Sequence, residues 1–131
     1  MGVDLTRSAS GVWTVRPVAP WEPEQWHEAW EELGRRVDAT TSPFALLADA
    51  SSARPPSALE RRVVAGFFRD HAEGLARSCV GMSVVVSNPV IRAAATAVFW
   101  IAGPPVDVAF HTRHEDAESR LLGLLAASSA A

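Results

Sequence analysis

The chain has 131 residues, of which 48% are hydrophobic, and its formal net charge is −3. A chain of this length and composition can bury a hydrophobic core as one domain, which excludes an intrinsically disordered protein. All twelve basic residues are arginine and are scattered among fifteen acidic residues. The sequence therefore lacks the basic stripe typical of nucleic-acid-binding proteins, and we expect no nucleic-acid partner.

Three features indicate the cellular setting. Cys79 is the only cysteine, which fits a reducing compartment. Residues 1–12 lack the basic and apolar regions of a secretory signal. The longest apolar stretch, residues 93–106, is shorter than the ~20 residues that span a bilayer. We therefore expect a cytoplasmic protein without a transmembrane segment, and we interpret the stretch as a buried helix.

The first third of the chain predicts a β-hairpin followed by an amphipathic helix. Weak strand character spans residues 3–8, and residues 11–18 alternate between apolar and polar side chains, as a half-buried strand does. We expect the helix to start near Glu22, since the proline that follows, Pro23, is tolerated in the first turn of a helix. Its apolar stripe, at spacings of four, three and four residues, comprises Trp26, Trp30, Leu33 and Val37.

The middle of the chain alternates strands with helices. Residues 44–50 (FALLADA) and 79–86 are apolar runs typical of strands that helices cover on both faces. Between them, Ser57 and Glu60 have the spacing of a capping box, which predicts the start of a helix. The residues that we expect this helix to bury are Leu59, Val63, Phe67 and Leu75.

The last third predicts two more helices and one more strand. The helix at 90–102 is apolar on most faces, so we expect it to be the most buried helix of the protein. Residues 106–111 alternate as a short strand does. The final helix should bury Ala117, Leu121 and either Leu124 or Leu125.

Together these elements predict an α/β fold. Each strand–helix–strand unit crosses over to a parallel neighbour, and the first two strands form an antiparallel hairpin. We therefore expect a mixed, mostly parallel five-stranded sheet with four helices. One domain is expected over residues 1–125, and the small residues at 126–131 predict a frayed tail.

No assembled catalytic site is recognisable in the sequence, since it contains neither a nucleophile elbow nor a glycine-rich phosphate loop. His111 and His114 resemble a metal-binding pair, but one belongs to a strand end and the other to a helix start, so their side chains need not converge. Cys79 opens a buried strand, and we interpret it as an unreactive core thiol. We expect no enzyme, no metal and no cofactor.

The loop that follows FALLADA is the candidate surface for a partner, because ligands gather at the carboxyl ends of parallel strands. It contains Asp49, Ser51 and Ser57. A phosphate on Ser57 would sit at a helix N-terminus, which favours negative charge. The alternative, which we favour, is that Ser57 only caps the helix and Asp49 only accepts hydrogen bonds of the turn.

Two more side chains have alternative roles. Arg92 lies in the first turn of the apolar helix, where a charge needs a partner or an exit to solvent. It either pairs with Asp49 or Asp107 or contacts an anion in a cleft at the strand ends. Trp21 lies in a proline-rich loop and either packs as a hydrophobic staple or is exposed as an anchor for a partner.

Several stretches of the chain match a known family pattern. They are the glycine-led strand at 11–18, the tryptophan-bearing first helix, FALLADA with its serine loop, residues 84–92 (VVVSNPVIR) and residues 109–117 (AFHTRHEDA). Through these short, mainly structural motifs, most of the chain resembles the STAS fold (sulfate transporter and anti-sigma-factor antagonist domains). More specifically, it is similar to the SpoIIAA-like group of bacterial STAS relatives.

The resemblance implies a non-enzymatic regulatory or protein-interaction module. STAS anti-sigma-factor antagonists are switched by phosphorylation of a serine or threonine in an Asp-Ser-type motif at the start of the second helix. This sequence departs from that pattern, because it reads Asp49-Ala50-Ser51-Ser52 and continues with four more residues before the helix. Ser51 and Ser57 are therefore candidate positions for such a switch.

We predict a protein partner that docks near residues 49–60 and 87–92, and a homodimer is one form of that contact. The alternative function is binding of a small apolar ligand or lipid by the helix at 90–102 and the strand-end cleft. An enzyme would require Asp49, His111 or His114 to converge in one pocket.

Overall fold

A computed structural model describes residues 2–130, with side chains up to residue 129. The last residue of the predicted tail, Ala131, lies outside the described residues. Strands and helices alternate after an initial hairpin. In chain order they are β1 (Gly2–Arg7), β2 (Val12–Val18), α1 (Pro23–Ala39), β3 (Phe44–Asp49), α2 (Ala58–Asp70), α3 (Ala72–Ser78), β4 (Cys79–Val85), α4 (Pro89–Ala102), β5 (Val108–His111) and α5 (His114–Ala130).

The five strands form one sheet in the order β1-β2-β3-β4-β5. β1 pairs antiparallel with β2, and the other three pairings are parallel. The order in the sheet follows the order in the chain because each helical connection returns the chain to the neighbouring position. The prediction of an α/β fold with a mixed five-stranded sheet and an N-terminal antiparallel hairpin is confirmed.

Helices cover both faces of this sheet. Phe44 and Leu46 of β3 pack in the core shared with α1, α2 and α4, whereas Ala45 and Leu47 pack in the core shared with α5. Successive side chains of a strand point to opposite faces, so an unbroken apolar run supplies both cores. The prediction that FALLADA is covered on both faces is confirmed.

The apolar stripes of the first and last helices are also confirmed. The buried residues of α1 include Trp26, Trp30, Leu33 and Val37. Those of α5 include Ala117, Leu121 and Leu125, and Leu124 is partly buried. α5 continues to Ala130, so the residues predicted as a tail belong to the last turns of this helix.

Residues 2–130 contain five helices rather than the predicted four, because the helix that follows the serine loop (residues 50–57) is broken at His71. The backbone of His71 leaves helical geometry, with φ −117° and ψ 18°. Its Nδ1 lies 2.9 Å from Oδ1 of Asp38 at the end of α1. This break sends α3 back towards the sheet, where Leu75 enters the core.

The inward face of α2 is rotated relative to the prediction. Leu59 is 66% exposed, so the expectation that it faces the core is wrong. Glu60 is turned inward instead and is buried, which carries the inward stripe to positions one residue further along the helix. The apolar residues that α2 buries are Val64, Phe67 and Phe68.

α4 is not the most buried helix, contrary to the prediction. All of α4 is described, and its buried residues are Ile91 and Val98. α4 packs beside α2 at the end of the helical layer. The sheet and α2 therefore cover its inner side, while its outer side faces solvent within residues 2–130. No helix of the described part of the chain is long and apolar enough to cross a membrane.

We predict that Gly34→Ala destabilises the protein, although alanine is the better helix former. A Cβ at Gly34 would collide with the imidazole of His71, which Asp38 holds in place. We expect the free energy of unfolding in urea to fall by about 1–3 kcal/mol. The control is Gly123→Ala, where an added Cβ meets nothing within 4 Å and stability should be kept or rise. Equal effects of the two substitutions would contradict the tight packing of His71 on α1.

Candidate functional site

Asp49, the last residue of β3, is a buried hydrogen-bond acceptor. Ser51 donates its N–H and its hydroxyl to Oδ1, at 3.0 and 2.6 Å. Nδ1 of His114, the first residue of α5, lies 2.9 Å from Oδ2. Burial raises the pKa of Asp49, but the hydrogen bonds from Ser51 and His114 outweigh burial and hold it below its usual value. The ionised carboxylate thus ties β3 to its own turn and to α5.

The convergence that an enzyme would require is only partly present. Asp49 and His114 meet, but His111 lies against Ser83, with 3.2 Å between Nε2 and Oγ. The hydroxyl of Ser51 donates to the carboxylate of Asp49 and not to an imidazole. A nucleophilic serine needs its hydroxyl beside a general base. The hydrogen bonds of Asp49 therefore stabilise the turn after β3 and link β3 to the start of α5.

Ser83 belongs to a second polar network that the sequence reasoning missed. It is fully buried on β4, and its Oγ accepts a hydrogen bond of 2.9 Å from Arg120 of α5. The same guanidinium donates to the carbonyl of Met82 at 2.7 Å. Because a buried hydroxyl requires a partner, a lone serine inside the apolar run of β4 was the available signal. Its burial keeps substrates away from Ser83.

The residues considered as metal ligands or nucleophiles have structural partners. His111 and His114 contact different residues, Ser83 and Asp49. In the part of the chain that the structure describes, no group of three or more His, Cys, Asp or Glu side chains is arranged to hold a metal ion. Burial raises the pKa of Cys79 to about 11, so its thiol stays protonated near neutral pH.

Glu60 anchors the serine loop through a network of four donors. Its Oε2 accepts from the indole N–H of Trp21 at 2.6 Å, and its Oε1 accepts from the backbone N–H of Ser57 at 2.8 Å. Arg54 donates to both oxygens, at 2.8 and 3.0 Å, and its guanidinium carbon lies 4.0 Å from the ring centre of Trp21. Burial raises the pKa of Glu60, but these hydrogen bonds outweigh it and lower the pKa to about 2.

This network decides the roles of Ser57 and Trp21. The hydroxyl of Ser57 accepts from the backbone N–H of Glu60 at 3.1 Å, which confirms the predicted capping box. Trp21 is buried and stacks on Trp26 with 5.6 Å between ring centres. The interpretation of Trp21 as an exposed anchor is therefore wrong. Phosphorylation of Ser57 or Ser51 stays a prediction, and a phosphate at either site would disturb one of these hydrogen bonds.

Arg92 is exposed on α4 and does not pair with Asp49, whose oxygens accept from Ser51 and His114. Its guanidinium carbon lies 5.3 Å from the ring centre of Phe110 on β5. A cation over an aromatic ring is attracted by the electron-rich face. Arg92 therefore borders the outer side of α4 next to the edge strand of the sheet.

The outer side of α4 is an apolar surface. It consists of Val90, Ala93, Ala97, Trp100 and Ile101, which we call the α4 face. Trp100 is 87% exposed, Ile101 81% and Val90 64%. These positions share one side of a helix, and Ile91 and Val98 occupy the opposite side, in the core. Sequence reasoning missed the α4 face because a helix that is apolar all round is typical of a buried one.

A shallow groove of about 520 Å³ runs along this helix beside the α4 face. Small side chains and the aliphatic part of an arginine line one end of the groove, and the indole ring of a tryptophan lines the other. The lining residues are Pro89, Arg92, Ala93, Thr96, Ala97 and Trp100. The α4 face therefore combines a projecting indole with a recess on the same helix.

The inner side of α4 borders an apolar cavity of about 80 Å³ near the carboxyl ends of β3 and β4. Ala48 and Val84 of the sheet form one wall, and Ile91, Ala95 and Phe99 of α4 form the other. Side chains from β2, α1, the serine loop and α2, including those of two arginines, complete the lining. The cavity is thus the part of the strand-end region that could enclose an apolar group.

No protein-family model matches the chain, and no curated protein matches it.

We predict that Glu60→Gln weakens the fold by about 2–3 kcal/mol and flattens its acid dependence. The pKa of Glu60 is about 2 in the folded chain, below its ordinary value of 4.5. Its stabilising contribution is therefore complete above pH 4.5 and is lost as the pH falls towards 2. Urea unfolding between pH 2 and pH 7 measures both effects. Glu24→Gln, on the exposed side of α1, should behave as wild type. If Glu60→Gln lost stability at acidic pH as steeply as the wild type does, the lowered pKa of Glu60 would be contradicted.

Proposed function

We propose that this chain is a non-enzymatic regulatory module of the STAS type, SpoIIAA-like, and that it acts by binding a protein through the α4 face. The exposure of Trp100 and Ile101 is the observation that carries the proposal. Monomeric proteins rarely leave a contiguous apolar patch uncovered, and larger patches mark interaction sites. Tryptophan is also enriched among the residues that dominate binding energy at protein interfaces.

The hydrogen bonds made by the polar side chains at the carboxyl ends of the strands support a binding role over a catalytic one. The hydroxyl of Ser51 and the carboxylate of Asp49 satisfy each other, and Ser57 caps α2. These groups stabilise the loop and α2 and are not gathered around a substrate-sized recess. The α4 face, in contrast, offers a large apolar area whose burial is worth a few kcal/mol.

The fold supports the STAS resemblance in its coarse features. An N-terminal antiparallel hairpin leads into parallel strands that alternate with helical connections, although the connection between β3 and β4 is divided into two helices. The α4 face also adjoins one of the two segments predicted for docking, residues 87–92, and includes Val90. The other segment, 49–60, includes the exposed Leu59, which lies on the α1 side of α2 and not beside the α4 face.

Trp100→Ala tests the docking role. We expect it to weaken partner binding by at least ~30-fold, because truncating an interface tryptophan commonly costs 2 kcal/mol or more. Leu122→Ala, at an exposed position of α5 on the opposite face of the sheet, should leave binding unchanged. Binding is measured by quantitative pull-down with the purified tagged chain, and thermal unfolding verifies that both variants fold. Equal binding by wild type and Trp100→Ala would contradict the proposal.

A second candidate function is the binding of a small apolar ligand in the cavity beneath α4. The observation that favours it is the cavity itself, which is lined almost wholly by apolar atoms. Its volume of about 80 Å³ is roughly half that of an engineered apolar cavity that binds benzene. It would therefore hold a chain of about three or four carbon atoms, such as the end of an acyl chain.

Ala95→Leu tests the ligand-binding candidate, because the added side chain would fill the cavity from the inner side of α4. We expect a native mass spectrum of the purified wild type to show a retained apolar molecule and that of Ala95→Leu to show none. Ala126→Leu, at an exposed position of α5, should retain the ligand. A spectrum of wild type at the mass of the chain alone, also after incubation with butyrate or hexanoate, would contradict this function.

A further inference from the structure

We propose that the occupant of the α4 face is the α4 face of a second copy of this chain, with the two helices antiparallel about a twofold axis near Ala97. This inference rests on the proposed docking role of the α4 face. A twofold interface uses the same patch on both copies, so the patch must be complementary to itself. The sizes and the charges of the α4 face meet that condition, and its area limits the strength of the contact.

The side chains of the α4 face change in size along the helix. After Val90 in the first turn, the small residues Ala93 and Ala97 occupy the middle of the helix, and the bulky Trp100 and Ile101 lie near its C-terminal end. In an antiparallel pair the bulky end of one helix meets the alanines of the other. Positions 93 and 100 are seven residues, or about 10 Å, apart along one helix. With the axis midway between them, Trp100 of one copy covers Ala93 of its partner. The groove beside Ala93 and Thr96 provides room for the incoming indole.

The charges of α4 fit the same arrangement. Arg92 is the only ionisable residue of this helix and lies in its first turn. An antiparallel partner brings its helix C-terminus to that end, where the unpaired carbonyl groups carry partial negative charge. The two Arg92 side chains lie at opposite ends of the contact, so they do not repel each other closely. A parallel pair would place both arginines together and both tryptophans together.

The available area indicates a weak dimer. Trp100 alone offers about 200 Å², and the apolar patch amounts to a few hundred Å² on each copy. Stable interfaces bury about 800 Å² on each partner. We therefore expect a dimer that forms at micromolar concentrations and dissociates on dilution. Because Ala93 and Ala97 are small, the two helices can pack closely, which increases the contact made within this limited area.

A lipid surface is the less favoured occupant. Stable attachment of a helix face to an anionic bilayer relies on several basic residues beside the apolar ones. α4 carries one arginine, and the whole chain has a net charge of −3. The apolar stretch of the α4 face is also interrupted by small alanines, which bury little surface in a membrane. Binding to vesicles is nevertheless a measurable outcome of the test.

Sedimentation equilibrium of the purified full chain between about 1 and about 500 µM tests the second copy. We expect the mean mass of the wild type to rise from 14.0 kDa towards twice that value. Trp100→Ala should raise the dimer dissociation constant by at least ~30-fold, because each interface loses two indole rings. Leu122→Ala should dimerise as the wild type does. Thermal unfolding of each variant shows that the fold is retained.

Oxidative cross-linking tests the antiparallel geometry. Ala97→Cys lies near the axis and should form a disulfide-linked dimer, whereas Val90→Cys, far from the axis, should remain monomeric on a reducing-agent-free gel. The wild type, which keeps the partly buried Cys79, provides the baseline. Cross-linking through Val90→Cys but not through Ala97→Cys would overturn the arrangement.

The outcomes separate this inference from the proposed function. A wild type that stays monomeric at every concentration overturns the second copy. If that monomer still binds another protein in a Trp100-dependent way, the docking role of the α4 face survives. If it instead sediments with phosphatidylcholine–phosphatidylglycerol vesicles through Trp100, a lipid surface is the occupant and both proposals fail. A monomer that does neither also removes both.

Discussion

The buried carboxylate of Glu60 is the constraint on which much of this molecule depends. A carboxylate removed from water must be surrounded by donors, and Trp21, Arg54 and Ser57 supply them. Through these bonds one side chain joins the loop before α1, the serine loop and the start of α2. The inward turn of Glu60 also sets the rotation of α2, which brings Val64 and its neighbours to the core and leaves outer positions in solvent.

The proposed binding surface follows from where polar groups have hydrogen-bond partners and where apolar groups remain exposed. Asp49 and Glu60 each gather their hydrogen bonds from nearby structural residues, so the strand-end loop is held rather than left reactive. α4 has the opposite character, because its inner side is covered and its outer side presents Trp100 and Ile101 to solvent. The free energy still available for binding therefore comes from exposed apolar area, which is why we propose a protein-interaction module.

Local patterns predicted the features that depend on neighbouring residues in the chain. The apolar run of β3, the stripe of α1 that contains Trp26 and the capping box of Ser57 are all present. The break at His71 could not be predicted, because it involves packing against Asp38 and Gly34 of another helix. The pairing of Asp49 with His114 joins residues 65 positions apart, a separation that no local pattern reports.

The sequence by itself determined the order of the elements, the hairpin, the mixed sheet and the absence of a recognisable catalytic motif. These properties follow from periodicity and turn chemistry, which act over a few residues. Only the tertiary structure decided that Trp21 is buried and that Trp100 is exposed. Hydrophobic periodicity records how apolar a helix face is, but coverage depends on which elements pack beside it. α4 ends its layer with α2 on one side, so its apolar outer side is left exposed.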